Sequence, residues 1–256
     1  MKPLSLLIAL VVGLAVAASA DDKAERLVDE MIEAHGGLSA WQAAGAVYFE
    51  DQWTQPGGEK GPVAQTTVEQ SRRRAYLDYP EIDATIVWDG EKAWSTNWAM
   101  PMPPRFIASL NYYFLNLPWL VRDPGVHLAA EGTRRLWDDD TEYETVRVTY
   151  DAEVGDTPDD YYVLYIHPQT KVLKACEYIV TYRSILPEGV EHSPPHVLIY
   201  EAFAVVDGLT VPTRYTIYED EAFYAGCEIM NWSFGRSFDE ARMKMPDGAV
   251  VDPTQP

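Results

Sequence analysis

Short alternating segments joined by tight turns dominate this chain and constrain its fold more than any other feature. Residues 47–53 (VYFEDQW) place three apolar side chains on one face, which is the pattern of a half-buried strand. Segments 161–167 and 209–219 are similarly rich in β-forming residues, and the Asp-Gly pairs at 89–90 and 207–208 are hairpin signals. Because few helical segments intervene, the pattern predicts a large antiparallel sheet.

Three expectations concern individual strands. Residues 63–79 are predicted to form one long strand, whose alternation divides the arginines at 72–74 between its two faces as solvated residues; an inward arginine that binds a lipid carboxylate or phosphate is the alternative. Residues 196–206 are apolar on both faces, so their second face has to be covered. Cys176 and Cys227 are expected to be free and buried, because two intervening strands would separate them by roughly 14 Å.

The N-terminal part of the chain has a helical pattern. Apolar residues recur at spacings of three and four over residues 22–35, two glycines then end the helix, and Ser39 can cap a short second turn that carries Trp41. His35 lies on the apolar stripe. It is interpreted as an anchor at the helix end, because the chain contains no G-x-S-x-G motif that would supply a nucleophile.

Residues 99–121 interrupt the strands with a different pattern. Pro103 and Pro104 can occupy the first turn of a helix that is apolar on nearly all sides, so the helix is buried or covers something apolar. With the inward aromatic residues of the N-terminal strands, it predicts either an ordinary core or a cavity for an acyl chain, whose burial contributes ~0.8 kcal/mol per methylene. The candidate cavity residues are Phe49, Trp53, Ile86, Trp88, Trp94, Trp98, Phe106, Leu110, Phe114, Leu117 and Trp119.

Charge and motifs argue against several classes of function. Loss of a signal peptide that contains Lys2 leaves 19 basic against 40 acidic side chains, a formal charge of −21 that disfavours nucleic acids and anionic membrane surfaces. Prolines 194 and 195 prevent His192 and His196 from aligning on a helix, and the acidic runs lack the EF-hand pattern. We therefore expect no metal and no other cofactor.

The chain begins with the pattern of a secreted protein. Residues 1–20 resemble a signal peptide with cleavage before Asp21, and no later stretch of the sequence has the length of a membrane span. A single domain is expected over residues 21–245, followed by a loose C-terminal tail over residues 246–256.

Four segments together resemble a known family: EAHGGLSAW (33–41), IVWDGEKAW (86–94), YYVLYIHPQTKVLKACEY (161–178) and VPTRYTIYE (211–219). The chain is similar in these to the periplasmic lipoprotein-carrier superfamily, LolA/LolB-like, and to related outer-membrane lipoprotein-sorting proteins. The resemblance implies an α+β fold, in which a strongly curved antiparallel sheet, a half-barrel, has helices covering its concave face and encloses a cavity for lipid acyl groups. Proline-rich segments around 99–104 and 187–195 depart from the carrier pattern.

These observations favour a non-enzymatic periplasmic protein that binds or carries a lipid, or the acyl chain of a lipidated protein, in an apolar cavity. An envelope protein is a second candidate partner. Two alternatives remain open: a secreted hydrolase that uses His35 or an acidic pair, and a structural interaction domain of the envelope that uses its sheet edge.

Overall fold

The computed structural model describes residues 20–254, so residues 1–19 of the predicted signal peptide lie outside the described residues. The helices are α1 (Ala20–Ala34), α2 (Leu38–Ala43) and α3 (Pro104–Leu120), with 3₁₀ turns at Pro80–Ile82, Arg183–Ile185 and Glu240–Met243. The strands are β1 (Ala46–Thr54), β2 (Ala64–Glu69), β3 (Arg74–Tyr79), β4 (Ala84–Trp88), β5 (Ala93–Thr96), β6 (Val126–Arg134), β7 (Tyr143–Tyr150), β8 (Tyr162–Ile166), β9 (Leu173–Tyr178), β10 (His196–Val206), β11 (Leu209–Glu219), β12 (Ala222–Arg236) and β13 (Val250–Val251). Among these elements, no helix is both long and apolar enough to cross a membrane.

All strands in the described part of the chain form one antiparallel sheet, in the order β13-β5-β4-β3-β2-β1-β12-β11-β10-β9-β8-β7-β6. Two meanders, β1 to β5 and β6 to β12, are joined where β1 pairs with β12. The sheet is curved but not closed, since β13 and β6 remain as its two edges. Helices α1 and α3 pack on the concave side. The predicted α+β half-barrel with helices on its concave face is confirmed.

The single long strand predicted over residues 63–79 is wrong: the structure divides it into β2 and β3. Glu69 pairs with Arg74, and the chain reverses direction through a turn in which Arg73 adopts a φ of 54°. No Gly, Pro or Asn marks this turn in the sequence, which is why alternation alone missed it. Arg73 forms an ion pair with Asp123, and Arg74 is largely buried between Glu69 and Glu240.

Three other segments differ from the sequence predictions. Strand β6 was missed because none of its residues is fully buried and it includes weak strand formers. Helix α2 is capped by Gly37 and not by Ser39, which lies inside the helix. The C-terminal segment is not loose throughout, because Val250–Val251 pair with β5 and the Asp252 carboxylate accepts a hydrogen bond from the backbone N–H of Arg105 at 2.8 Å.

The core has two parts because strands β7 to β10 are buried on both faces. The main part fills the concave side, where residues of α1 and α3 meet the inward residues of the strands. A smaller cluster lies on the convex side and includes Leu136, Val163 and Ile199. There the segment before β7 covers the sheet, and Trp137 packs its ring edge-on against Tyr218. This segment covers the second apolar face of β10 at Val197 and Ile199, whereas Val205 near the end of the strand stays exposed.

The two cysteines lie on strands that the sheet keeps apart. Cys176 is on β9 and Cys227 on β12, with β10 and β11 between them. Both thiols are free and buried, as predicted.

Helix α1 ends at a close contact with the β10–β11 hairpin. The N–H of Gly37 donates to the carbonyl of Ile32 at 2.9 Å, and Gly36 has a φ of 102°. A Cβ added at Gly36 would lie 2.4 Å from the carbonyl oxygen of Gly208, which belongs to the hairpin backbone. The second glycine has more room, since a Cβ at Gly37 would meet only the Glu33 side chain, at 3.6 Å.

We expect Gly36→Ala to lower the free energy of unfolding by more than about 2 kcal/mol, because it combines a left-handed backbone with a clash against backbone atoms. Gly37→Ala is the matched control, since its φ of 90° carries a similar backbone cost without the clash and it should lose about 1–2 kcal/mol. Urea denaturation of both variants measures the difference. Equal losses would show that the hairpin moves away freely and does not fix the helix end.

Candidate functional site

Helix α3 is the element on which the candidate site is built. Three side chains hold it in the concave face through hydrogen bonds: Tyr200 donates its hydroxyl to the carbonyl of Phe114 at 2.5 Å, Tyr215 to Oδ1 of Asn111 at 2.5 Å, and Trp41 its indole N–H to Oδ1 of Asn116 at 2.9 Å. Because these donors come from β10, β11 and α2, the helix is fixed across the middle of the sheet.

The main cavity lies between α3 and the concave face of β1, β3 and β11. Its volume is about 410 Å³, within the range of small-molecule binding sites. The apolar part of its wall includes Trp53, Leu77, Ile107, Leu110, Phe114 and Ile217. Its rim is formed by the loop after β1 and by residues 98–102, so the proline-rich segment that departs from the carrier pattern lines the cavity.

The second cavity lies on the other side of α3 and measures about 290 Å³. It shares Phe106, Leu110 and Phe114 with the main cavity, but its rim is charged. Arg105 forms an ion pair with Asp156 at 2.6 Å and stacks over Trp88 at 5.0 Å, while Arg73 and Asp123 form a second pair. The main cavity is therefore the more apolar candidate for ligand binding.

The structure places six of the eleven predicted cavity residues in the walls of these cavities: Trp53 and Trp98 in the main cavity, Trp88 in the second, and Phe106, Leu110 and Phe114 in both. Four others pack in the core and line neither cavity: Phe49, Ile86, Leu117 and Trp119.

Trp94 was expected on the inward face but lies on the convex one. The β4–β5 hairpin pairs Trp88 with Ala93 and Val87 with Trp94, so Trp94 shares a face with Val87. There it lies beside Arg242 and Lys244 of the C-terminal segment. Alternation shows which residues of one strand share a face. Which residues of the two strands share a face depends on the number of residues in the turn between them.

Residues 88–184 match a family of unknown function, DUF6503, and no curated protein matches the chain by sequence. A crystal structure of a LolA superfamily protein from Nitrosomonas europaea covers 87% of this chain and 97% of its own, with a TM-score of 0.52 and 10% identity. The protein has a LolA-like fold. A DUF1329 family protein from Desulfovibrio piger is similar to it at a TM-score of 0.54 and 12% identity, over 86% of this chain and 97% of its own.

At these identities the likeness establishes the fold alone. In the LolA-like sheet of this protein, one of the inward-facing residues of β1 is an acid, Asp51, which the sequence analysis did not identify. Asp51 lies between Phe49 and Trp53 on the same face, and its side chain lines the main cavity. The signal was present in the printed sequence as a carboxylate at an inward position of a predicted strand.

Asp51 belongs to a small polar group at the wall of the cavity. Thr66 Oγ1 donates to its carboxyl at 3.5 Å, and the polar side chains of Asn111 and Trp53 are close enough to favour its charged form. Burial raises the pKa of Asp51 to about 7, although these polar neighbours act in the opposite direction. Asn111 was missed as well: it is a polar residue on the face of α3 that otherwise carries Ile107 and Phe114.

We expect Asp51→Asn to be more stable than the wild type at pH 8, by up to about 4 kcal/mol, and similar to it near pH 4. The pKa of Asp51 is 3.8 when unperturbed and about 7 in the fold. Between these values the native state keeps a proton that the unfolded chain releases, so the contribution of Asp51 to native stability falls as the pH rises from 4 to 7 and stays reduced above 7. Urea denaturation across this range measures the effect. Glu50→Gln, on the other face of β1, controls for the loss of one charge, and a constant difference between Asp51→Asn and wild type would contradict the prediction.

His35, which the hydrolase alternative would use, is a structural anchor in this fold. Its Nδ1 donates to the carbonyl of Thr210 at 2.8 Å, and its Nε2 accepts the backbone N–H of Leu173 at 3.1 Å. Burial lowers the pKa of His35 to about 4, so the ring is neutral near pH 7. Since both ring nitrogens bond to backbone, neither is free to act as a base. The hydrolase alternative gains no support from His35.

Replacement of His35 by Leu should lower the free energy of unfolding by roughly 2–4 kcal/mol at pH 7, because it leaves a buried N–H and a buried carbonyl without partners. The stabilisation by His35, measured as the difference between wild type and His35→Leu, should decrease as the pH falls from 6.5 to 4, since the unfolded chain then takes up a proton that the native His35 does not. His127→Leu, at an exposed histidine, is the control. Similar stabilities of the two variants would contradict the anchoring role.

A second histidine lies at the wall of the main cavity near a serine and a glutamate. Ser193 Oγ is 3.5 Å from Nδ1 of His196, whose Nε2 is 3.3 Å from the carboxylate of Glu219. The hydroxyl of Ser193 already donates to the carbonyl of Pro194 at 2.8 Å and accepts the N–H of Val180 at 3.0 Å. It therefore holds the loop and is not poised as a nucleophile. Within residues 20–254, no cluster of side chains is arranged to hold a metal ion.

Proposed function

We propose that this protein binds an apolar ligand, a lipid or the acyl chain of a lipidated protein, in the main cavity, and that it does so in the periplasm without catalysing a reaction. The observation that carries the proposal is an apolar cavity of about 410 Å³ between the curved sheet and α3. The space is partly open to solvent and has the size of a small-molecule site, so an apolar ligand can enter it.

The energy of binding would come from burying hydrocarbon. At ~0.8 kcal/mol per methylene, a chain of ten carbons contributes on the order of 8 kcal/mol before the cost of ordering it. The walls suit this use because aromatic and branched side chains predominate, and Met100 and Met102 at the rim can adjust their shape to a chain. The secretory pattern at the N-terminus supports a periplasmic location, where lipids and lipidated proteins have to cross an aqueous space.

We expect the variant Leu110→Trp to reduce the affinity for N-phenyl-1-naphthylamine, a neutral fluorescent reporter of apolar sites, by at least tenfold, because Leu110 lines both cavities and a larger ring would fill them. Val205→Trp adds the same ring at an exposed position on β10 and should bind like the wild type. Fluorescence titration with both variants tests the proposal.

Native mass spectrometry and lipid extraction of protein purified from a bacterial envelope would identify the natural ligand. The proposal fails if the wild type does not bind the reporter and carries no apolar molecule. It also fails if Leu110→Trp folds normally and binds the reporter as the wild type does.

A further inference from the structure

Asp51 is the feature of the main cavity that its apolar character does not explain. On β1 it is paired with Ala64 of β2 and Ile229 of β12, and only 3% of its surface is exposed. An apolar side chain at this position would pack in the concave face without burying a charge. A carboxylate there lowers native stability unless some group compensates for its charge.

The surroundings of Asp51 supply only neutral groups. Thr66 donates a long hydrogen bond to it, and Asn111 and Trp53 are its other polar neighbours. The titratable side chains that face it are Tyr79 at the end of β3, Tyr215 on β11 and Cys227 on β12. Burial raises the pKa of these three groups, so none of them carries a charge near neutral pH. Within the described residues, no cation offsets the carboxylate.

The side chain of Asp51 also lines the cavity, together with Asn111. A molecule that fills the cavity therefore comes within reach of a buried acceptor that is only weakly bonded, since the contact with Thr66 measures 3.5 Å. We propose that Asp51 accepts a hydrogen bond from a hydroxyl group of the ligand, so that the cavity prefers an apolar chain that carries a hydroxyl over the same chain without a donor. This inference rests on the proposed function and specifies the class of ligand.

A hydroxyl fits this position better than a charged group. A fatty-acid carboxylate placed at the same depth would meet the like charge of Asp51, which is unfavourable in an apolar site. An ammonium group would have to give up its hydration for one buried partner, and the rest of the wall could not replace the lost hydrogen bonds. A hydroxyl is neutral, costs less to desolvate and can donate to the carboxyl in either protonation state.

A pair of isomers tests the inference directly. 1-Decanol and 1-methoxynonane have the same atoms, but only the alcohol can donate a hydrogen bond. Binding can be followed by the fluorescence of Trp53 and Trp98, which line the cavity. We expect the wild type at pH 8 to bind 1-decanol roughly tenfold more tightly, which is the effect of one hydrogen bond to a charged acceptor.

Asp51→Leu should abolish this preference while 1-methoxynonane still binds, and Glu50→Gln should retain it. Asp51→Asn provides a second measurement that keeps the shape of the side chain. In the wild type, the preference for the alcohol should increase from pH 6.5 to 8.5, because ionisation strengthens the acceptor; in Asp51→Asn it should not change with pH. Burial lowers the pKa of His196, which lines the same cavity, so its titration does not produce this increase.

The outcomes separate the two proposals. If the wild type binds both isomers with equal affinity, or if Asp51→Leu keeps the preference for the alcohol, the role of Asp51 is refuted while binding in the cavity stands. If neither isomer binds to the wild type, the proposed function fails, and the inference about Asp51 fails with it.

Discussion

The burial of α3 is the constraint on which the rest of the structure depends. A helix that is apolar on nearly all sides cannot remain on the surface of a domain, and a flat sheet could cover only one of its faces. Here the sheet curves around it, and buried tyrosines of β10 and β11 donate hydrogen bonds to α3 at Phe114 and Asn111. The two meanders join at β1 and β12, which lie opposite this helix, so that both halves of the sheet contribute to its cover.

The same arrangement produces the cavities. A helix of 17 residues across a sheet of this width leaves space on both of its sides, and Phe106, Leu110 and Phe114 separate the two spaces. One space is bordered by ion pairs and the other by aromatic residues and a proline-rich loop. This asymmetry is the reason that the ligand is assigned to the main cavity, and it places Asp51 and Asn111 as the polar groups that a ligand would meet there.

The carboxyl of Asp51 lowers the stability of the fold, although it is the group to which the proposed ligand would bind. An apolar residue at that position would remove the cost of a buried carboxyl, whereas His35, which is equally buried, is compensated by two backbone hydrogen bonds. His35 connects α1 to β9 and β11 and closes one end of the sheet. The hydrogen bonds of His35 explain why it is buried, since they stabilise the fold. Among the described residues, no comparable stabilising contact explains the burial of Asp51.

The sequence by itself determined the features that depend on neighbours along the chain. Alternation established most strands, the apolar character of residues 104–120 established a buried helix, and two glycines after His35 marked the end of α1. The separation of the two cysteines also followed, since it required only the order of consecutive strands in a meander.

Only the tertiary structure decided the features that depend on turns and on distant contacts. The reversal at Arg73 has no residue that signals it, and the turn between β4 and β5 placed Trp94 on the convex face. Asp51 and Asn111 are sixty residues apart in the chain and meet because the sheet bends around α3. Periodicity fixes the faces of one element at a time, whereas a cavity is formed by the distances between elements, which the packing of the whole chain sets.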